Sequence, residues 1–203
     1  MYIEDMYENE YLYFKSLRDF RGKDSDQTGR LDPRELNLKN TQIATLSIKT
    51  DTAEIHLHEI LEKFNAQHME YLAESKINCC SLHWLEIEPE QAPSTYDSKL
   101  LKMGNKAILI YDLNKFYEIL DSALEQLRFE YSRKKVTYYN PKKFNGEINL
   151  HHKDEQYKYQ NEYRILIYPT DNEPLNLKLV GLKEISTIID TKDIVNLRIE
   201  IIP

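Results

Sequence analysis

The stretch YKYQNEYRILIYPT, from Tyr157 to Thr170, decides the fold. Its second half, EYRILIY, is rich in β-branched and aromatic residues, which favours a strand. Side chains two positions apart share one face of a strand, so Gln160, Glu162 and Arg164 should project together. The apolar and aromatic residues between them should face the other way. The pattern predicts a strand with one polar face and one apolar face.

The polar face has two interpretations. In the first, Glu162 and Arg164 form an exposed ion pair worth about 0 to 1 kcal/mol. In the second, Glu162 acts on a ligand while Gln160 orients the attacking group. A carboxylate in that role stabilises a developing oxocarbenium ion and holds a ribose hydroxyl, as cleavage of a glycosidic bond requires. The residues are compatible with both interpretations.

Composition limits the class of protein. The chain has 203 residues, enough to bury a sizeable core, and no repeat or Gly/Ser linker divides it, so we expect a single domain at 1–203. A net charge of −7 disfavours nucleic acid as the main ligand, because phosphate binding draws on clustered Lys and Arg. No apolar run of about 18 residues could span a bilayer. The acidic N-terminus does not resemble a secretory signal, so we expect a cytoplasmic protein without a membrane partner.

Hydrophobic periodicity predicts an α+β fold with mixed or antiparallel sheets and two main helices. One helix is predicted at 58–74, and a second begins at an Asp112 cap and carries an apolar stripe to Tyr131. The basic run Arg133–Lys135 is interpreted as a solvated helix end. The unbroken apolar centre of 105–112 predicts a strand in the middle of a sheet. Further strands are predicted at 10–17, 41–50 with a hairpin at Asp51–Thr52, 77–87, 135–139, 162–168 and in the segments 175–181 and 196–202.

Several kinds of site are disfavoured by the sequence. Glycine-rich phosphate loops and the Gly-x-Ser-x-Gly elbow are absent, which excludes the classes that depend on them. Cys79 and Cys80 are adjacent and have no further cysteine to join them, so neither a structural disulfide nor a thiolate zinc site is expected. Histidines at 56, 58, 151 and 152 could hold a metal ion, but surface histidines are the commoner explanation. We expect no metal site.

An acidic pattern leaves a metal-dependent nuclease as a weak alternative. Asp32 and Glu35, with Glu155 and Lys158 of a Glu-x-x-Lys motif, can be fitted to such an enzyme. The pattern is short and acidic residues are plentiful, so chance explains it more easily.

Five short motifs resemble those of a large, uncharacterised family of bacterial and phage proteins. YQNEYRILIY resembles its Tyr-Glu-x-Glu-Trp-Arg-Ile signature. In the same order along the chain, RLDPREL looks like its Asn-Asp-Pro-x-Glu turn, INCCSLHW like its Ile-x-Cys-Phe-Ser strand, and MGNKAILIYD like its Gly-x-Gly-x-x-Ile-x-Phe strand. KVTYY is similar to its Val-x-Tyr element. The resemblance covers the chain from Leu12 to Leu182.

The same residues also resemble the ADP-ribosyltransferase superfamily in its Arg-Ser-Glu form. There, one strand supplies an arginine, a second supplies the serine of a Ser-Thr-Ser element, and a later strand carries Glu-x-Glu or Gln-x-Glu with the catalytic glutamate last. Ser81 and Gln160-Asn161-Glu162 stand in the right order, although CCSLH keeps only the serine of its element. NEYRILIY also looks like the Asn-Glu-Tyr strand of poly-ADP-ribose polymerases. Arg18 is the best-placed arginine.

The resemblance implies NAD as the substrate. It implies catalytic roles for Glu162 and Gln160, and NAD-binding roles for Ser81 and Arg18. The function it implies is transfer of ADP-ribose to a macromolecular acceptor, in a toxin, defence or counter-defence role of a bacterium or phage. The alternative is a catalytically silent protein-binding module of the same fold, which would use its fifteen tyrosines at an interface.

Overall fold

The computed structural model describes residues 2–22, 30–61, 64–85 and 96–195, which form an α+β fold. The α-helices in this part of the chain are α1 (Tyr2–Glu8), α2 (Leu57–Ile60), α3 (Leu113–Gln126) and α4 (Thr191–Val195). The strands are β1 (Tyr11–Ser16), β2 (Asn37–Ile43), β3 (Ser47–Lys49), β4 (Glu54–His56), β5 (Ala66–Tyr71), β6 (Asn78–His83), β7 (Lys106–Ile110), β8 (Glu130–Lys135), β9 (Thr137–Tyr139), β10 (Gly146–Glu147), β11 (His152–Asp154), β12 (Glu162–Tyr168), β13 (Leu175–Lys178) and β14 (Ser186–Asp190).

A five-stranded antiparallel sheet organises the molecule, in the order β13-β1-β6-β12-β8. The predicted strand at 162–168 is confirmed as β12, which pairs with β6 on one side and β8 on the other. Neighbours on both edges and layers on both faces bury six of its seven residues. The remaining pairs form a three-stranded sheet (β10-β2-β5), two antiparallel hairpins or pairs (β3-β4 and β14-β7), and one parallel pair (β11-β9).

Helix α3 covers the apolar face of this sheet. Asp112 caps it as predicted, because its Oδ1 accepts a hydrogen bond of 3.0 Å from the amide of Lys115. Phe116, Leu120 and Leu124 recur at helical spacing, are fully or almost fully buried, and belong to one core with the apolar side chains of β1, β12 and β13. Burial of this stripe is what stabilises a helix of only fourteen residues.

The opposite face of the sheet is covered by turns and short elements instead of an α-helix. A smaller apolar cluster formed by Leu17, Leu36, Cys79 and Leu166 lies there. Next to it, the turn at 33–36 and the segment 148–160 bring charged side chains against β12. The two faces of the sheet therefore differ in chemistry, and the polar one holds the candidate site.

The prediction of a helix at 58–74 is wrong. The structure has only the single turn of α2, followed by strand β5, and residues 62 and 63 lie outside the described part of the chain. Strand β5 pairs with β2 from Asn37↔Tyr71 to Ile43↔Ala66. The few apolar residues in this segment fit both the helical and the strand period. The backbone hydrogen bonds between β5 and β2 stabilise the strand. Among the described residues α3 is the one long helix.

Other predicted elements are also corrected. Strand β7 is not central: among the described strands it pairs with β14 alone, and its residues are only partly buried. Helix α3 ends at Gln126 and does not continue to Tyr131 as predicted, because residues 130–135, with the basic run Arg133–Lys135, form β8. The strand predicted at 41–50 is split between the end of β2 and β3, while the hairpin after β3 is confirmed. The strand predicted at 196–202 lies outside the described residues. No helix in the described part of the chain is long and apolar enough to cross a membrane.

The buried stripe of α3 gives a first prediction. Leu120→Ala should lower the free energy of unfolding by about 2 to 5 kcal/mol, because it leaves a cavity where the side chain is fully buried. Leu113→Ala, at a position of the same helix that is 41% exposed, should cost less than about 1 kcal/mol. Urea unfolding followed by circular dichroism measures both. Equal losses would contradict the packing of α3 described above.

Candidate functional site

Glu162, the first residue of β12, lies at the centre of a buried polar cluster. One carboxylate oxygen, Oε1, accepts hydrogen bonds from the Ser81 hydroxyl (2.6 Å) and from Arg164 Nε (2.9 Å). The other, Oε2, accepts one from Lys153 Nζ (2.7 Å). The glutamate is 4% exposed, whereas Ser81 is exposed. The serine hydroxyl therefore lies between solvent and the carboxylate.

Strand register explains how these residues meet. In the antiparallel pair of β6 and β12, Ser81 lies opposite Arg164, and His83 lies opposite Glu162. Cross-strand neighbours have their Cβ atoms about 4.5 to 5.5 Å apart and diagonal neighbours are within reach of long side chains. The short side chain of Ser81 can thus reach the carboxylate of Glu162 on the same face.

Arg164 links Glu162 to a second carboxylate. Its guanidinium forms a two-pronged ion pair with Glu35, with distances of 2.9 and 3.1 Å, and also donates to the backbone carbonyl of Leu150. Arg164 is 1% exposed and Glu35 is 4% exposed. Two acids, Glu35 and Glu162, are thus balanced by two bases, Arg164 and Lys153. We call these four residues the ion cluster.

Lys153 connects Gln160 to the ion cluster. Its ammonium donates to Gln160 Oε1 (2.8 Å) as well as to Glu162. Gln160 does not lie on β12 as predicted; it ends a 3-10 helix at Glu155–Gln160, and Asn161 follows with a positive φ of 38°. The left-handed residue breaks the two-residue alternation, and Gln160 and Glu162 are brought together by Lys153 instead.

The charges around Glu162 keep it ionised. Burial acts to raise the pKa of this carboxyl, but the positive charges of Arg164 and Lys153 and the hydrogen bonds from Lys153 and Ser81 outweigh it. Its pKa is therefore held well below the usual range. Burial alone would act to lower the pKa of Arg164, but Glu162 and Glu35 raise it well above its ordinary value. Both residues are charged at neutral pH.

Asp32 beside the ion cluster behaves in the opposite way. It is 2% exposed, and burial raises its pKa to about 6, against the effect of a hydrogen bond from the amide of Arg34. Arg34 itself pairs with Asp154 at 2.9 Å. Glu35 and Asp154 add negative charge near Asp32, and Lys153 adds positive charge. The turn at 33–36 is therefore held to the segment 148–160 by the ion pair of Arg34 with Asp154.

His83 borders the cluster at the end of β6. Its Nδ1 contacts the carbonyl oxygen of Gln160, so Nδ1 carries the proton and Nε2 is left as an acceptor. Burial lowers the pKa of this imidazole, which is thus neutral at pH 7. Within the described part of the chain, the buried Nε2 has no hydrogen-bond partner, and neither has the hydroxyl of Tyr96, whose ring lies 5.8 Å away.

The structure brings together three of the four residues chosen from the sequence. Ser81 contacts Glu162 directly, and Gln160 contacts it through Lys153. Arg18 is not part of the group: it lies on an exposed 3-10 turn after β1, next to the start of β6. The start of β6, next to Arg18, is about six residues of strand away from His83, which corresponds to roughly 20 Å. The arginine that contacts the glutamate is Arg164, on the same strand.

Three residues of the cluster had weaker signals in the sequence. The strand pattern predicts Arg164 on the same face as Glu162, and one interpretation makes the two an exposed pair, whereas the pair is buried. Glu35 lies in RLDPREL, where nothing indicates its link to β12. No local pattern identifies Lys153, because its contact with Glu162 depends on the parallel pairing of β11 with β9.

The residues of the nuclease alternative are used differently. Glu35 is committed to Arg164, while Glu155 and Lys158 are exposed, and Glu155 accepts a hydrogen bond from Asn140. Across the described ranges, no three His, Cys, Asp or Glu residues are grouped to hold a metal ion.

Comparisons with known proteins add no relative to this description. No family model, no curated protein and no solved structure matches the chain. The interpretation of the site therefore rests on its geometry and chemistry.

Removal of Arg164 tests the ion cluster. Arg164→Met should lower the free energy of unfolding by about 3 to 5 kcal/mol, because it leaves Glu35 and Glu162 buried without their shared cation. Arg133→Met is the matched control: that arginine also forms two hydrogen bonds to one carboxylate, Asp121, but both side chains are partly exposed. It should cost about 1 kcal/mol or less. Adding Glu35→Gln to Arg164→Met should recover part of the loss, and failure to do so would contradict the ion cluster.

Asp32 gives a prediction for pH. Its folded pKa of about 6 is raised, so the folded state keeps the proton longer than the unfolded chain does. The contribution of Asp32 to stability should therefore be fully present below the unfolded pKa of about 4 and should be lost as the pH rises from about 4 to about 6. Asp32→Asn keeps the acceptor for the Arg34 amide and should remove this loss of stability. The loss is at most about 3 kcal/mol. Chemical denaturation at several pH values measures it. Asp51→Asn, in the exposed turn between β3 and β4, is the control that should leave the profile unchanged.

Proposed function

We propose that this chain is an ADP-ribosyltransferase-like enzyme that transfers ADP-ribose from NAD to a macromolecular acceptor. The observation that carries the proposal is the hydrogen bond between the Ser81 hydroxyl and the Glu162 carboxylate, on neighbouring strands of one sheet. A serine and a glutamate in this order and in contact are what the resemblance to the Arg-Ser-Glu superfamily requires.

Glu162 supplies the charge that the reaction needs. Breaking the bond between ribose C1′ and the nicotinamide nitrogen sends the bonding electrons to nicotinamide and leaves positive charge on the ribose. An ionised carboxylate in a site with little water stabilises that charge. Arg164 and Lys153 keep Glu162 ionised before substrate arrives. A nucleophilic group of the acceptor then forms the new bond to C1′ and releases its proton to solvent.

Ser81 marks the route by which substrate reaches the carboxylate. It is exposed while Glu162 is buried, so a ribose hydroxyl can take the place of the serine hydroxyl on Oε1. Gln160 would orient the acceptor once Lys153 shifts from its side-chain oxygen. Arg18 has no part in this proposed site because of its distance from Glu162.

The setting of the activity follows the same resemblance. The family similarity points to a bacterial or phage protein, and modification of a host macromolecule suits a toxin, a defence factor or a counter-defence factor. The proposal places the protein in the cytoplasm, where NAD and such acceptors occur together.

A second candidate, a catalytically silent protein-binding module, is favoured by a different observation. Both oxygens of Glu162 are already occupied by groups of the chain itself, as suits a glutamate that only stabilises the fold. Exposed tyrosines, among them Tyr2, Tyr13 and Tyr111, would then supply contact area to a partner protein.

Label transfer tests the enzyme. The protein is incubated in host lysate with NAD that carries a labelled adenylate, and both labelled macromolecules and released nicotinamide are measured. Wild type should transfer label, and Glu162→Gln should lower the rate at least 100-fold, because the neutral amide does not stabilise the cation. Glu155→Gln, an exposed position close by in the chain, should keep the wild-type rate.

The folding of each variant is checked by its thermal midpoint, and Ser81→Ala provides a second variant that leaves the charges of the ion cluster in place. Its rate should fall about 10-fold or more. Absence of both transfer and nicotinamide release in wild type would rule out the enzyme. A tight protein partner whose binding NAD does not affect would then support the module.

A further inference from the structure

A serine and a histidine meet at the β8 edge of the five-stranded sheet. The hydroxyl of Ser132, on β8, lies 2.9 Å from Nε2 of His151. Ser132 pairs with Leu166 of β12 and is therefore on the polar face, but it is four residues of strand, or roughly 13 Å, from the level of Glu162. The pair is thus distinct from the ion cluster.

The backbone on both sides of His151 holds the histidine in place. Its amide donates to the side-chain oxygen of Asn149 at 2.9 Å, and its carbonyl accepts from the amide of Thr137 at 2.8 Å. His151 is 5% exposed, whereas Ser132 is only partly buried. A buried base is therefore held against a more accessible hydroxyl, which is how a serine nucleophile and its base are arranged in acyl-transfer enzymes.

The surroundings of His151 keep its ring neutral. Burial, followed by the positive charges of Lys134 and Arg164, lowers the pKa of this imidazole to about 4. His152 acts in the same direction, and Glu162 opposes it. At pH 7 the ring is uncharged, so one nitrogen carries a proton and the other is an acceptor. With the proton on Nδ1, Nε2 accepts the hydrogen bond from the serine hydroxyl.

The second ring nitrogen favours a chemical role for His151 over a structural one. Among the described residues, the buried Nδ1 has no hydrogen-bond partner. An unpaired buried polar group destabilises a fold, so an apolar side chain would fill the same space at lower cost. The histidine therefore supplies a base at this position and not stability.

Lys134 adds positive charge next to the serine. It follows Ser132 by two positions on β8, so the two side chains share one face and lie about 7 Å apart along the strand. Lys134 is exposed, and within the described part of the chain its ammonium has no hydrogen-bond or ion-pair partner. An ammonium in this position can pair with a carboxylate of a ligand bound at the serine.

We propose that Ser132 is a nucleophile and His151 its general base in acyl transfer from short esters whose acyl group carries a carboxylate, which Lys134 binds. The serine oxygen bonds to the ester carbonyl carbon while its proton passes to Nε2 of His151. The bond from that carbon to the alkoxide breaks, and the alkoxide takes the proton from Nε2. Water then attacks the acylated serine by the same steps and restores the hydroxyl. This activity does not depend on the proposed function.

A fluorophosphonate probe tests the nucleophile, because it forms a stable bond from phosphorus to a reactive serine oxygen and releases fluoride. The full-length protein should take up one label, which mass spectrometry of its peptides should locate at Ser132. Ser132→Ala should remove the label. His151→Gln should slow labelling at least 100-fold, because glutamine cannot take the proton. The thermal midpoint of each variant shows whether it folds.

A second serine provides an internal control. Ser47 also contacts a histidine, with its hydroxyl 2.7 Å from Nδ1 of His56, but this contact is exposed to solvent on the hairpin of β3 and β4. Ser47 should remain unlabelled.

The pH dependence of labelling identifies the base. Because the pKa of His151 is held at about 4, the rate at Ser132 should change less than about twofold between pH 7.5 and pH 5. An imidazole with the ordinary pKa of about 6.5 would give a fall of about 30-fold over the same range. A merely structural histidine would not produce the flat profile together with the loss in His151→Gln.

Two nitrophenyl esters test the class of ligand. Wild type should react about tenfold faster with the half-ester of succinic acid than with the acetate ester, and Lys134→Met should remove this preference. Lys135→Met is the matched control. Lys135 is adjacent on β8 but lies opposite Tyr163, on the other face of the sheet, so this variant should keep the preference.

Four results would overturn the proposal. The first is no label at Ser132, and the second is equal labelling of Ser47. The third is a 30-fold fall in rate between pH 7.5 and pH 5. The fourth is an equal loss of the succinate preference in Lys134→Met and Lys135→Met, which would indicate diffuse attraction by positive charge.

Discussion

The pairing of Arg164 with Glu35 and Glu162 is the interaction on which the rest of the structure depends. Three charges removed from water would cost several kcal/mol each if unpaired, so β12 can carry Glu162 and Arg164 only while the covering chain stays in place. Glu35 brings the turn at 33–36 onto the sheet, and Lys153 does the same for the segment before β12. Short elements and turns thus cover this face, where an α-helix covers the other.

The same pairing shapes the chemistry of the site. A carboxylate that is buried, ionised and held by two cations has the charge that a cationic transition state requires, and also the environment of a purely structural glutamate. The proposed catalytic role depends on the exposure of Ser81, because a substrate hydroxyl would have to replace the serine hydroxyl on one carboxylate oxygen. His83, with a neutral ring and an acceptor nitrogen without a partner in the described residues, adds polar capacity at the same end of the sheet.

The two faces of β12 have different roles. Ile165 and Ile167 belong to the main hydrophobic core together with the buried residues of α3, so the apolar face of β12 contributes hydrophobic stabilisation. Tyr163, on the apolar face beside Glu162, extends the core by stacking its ring on that of Trp84. An ion cluster and an aromatic stack are thus held at one end of the sheet by a single strand whose alternate residues face opposite ways.

The sequence by itself determined the elements with strong local periodicity. Strand β12 and helix α3 with its Asp112 cap followed from composition and spacing. For the segment of β5 the sequence predicted a helix. The strand is stabilised by its pairing with β2 and not by the spacing of its apolar residues.

Only the tertiary structure decided which charges meet. Glu35 and Arg164 are 129 positions apart, and Lys153 reaches Glu162 through the pairing of β11 with β9. Arg18 was predicted to bind NAD from its place in the chain, but the fold puts it next to the start of β6, at the opposite end of that strand from Glu162. Periodicity indicates which face of its own helix or strand a residue occupies. An ion pair depends instead on the distance between two residues in space, which local sequence does not encode.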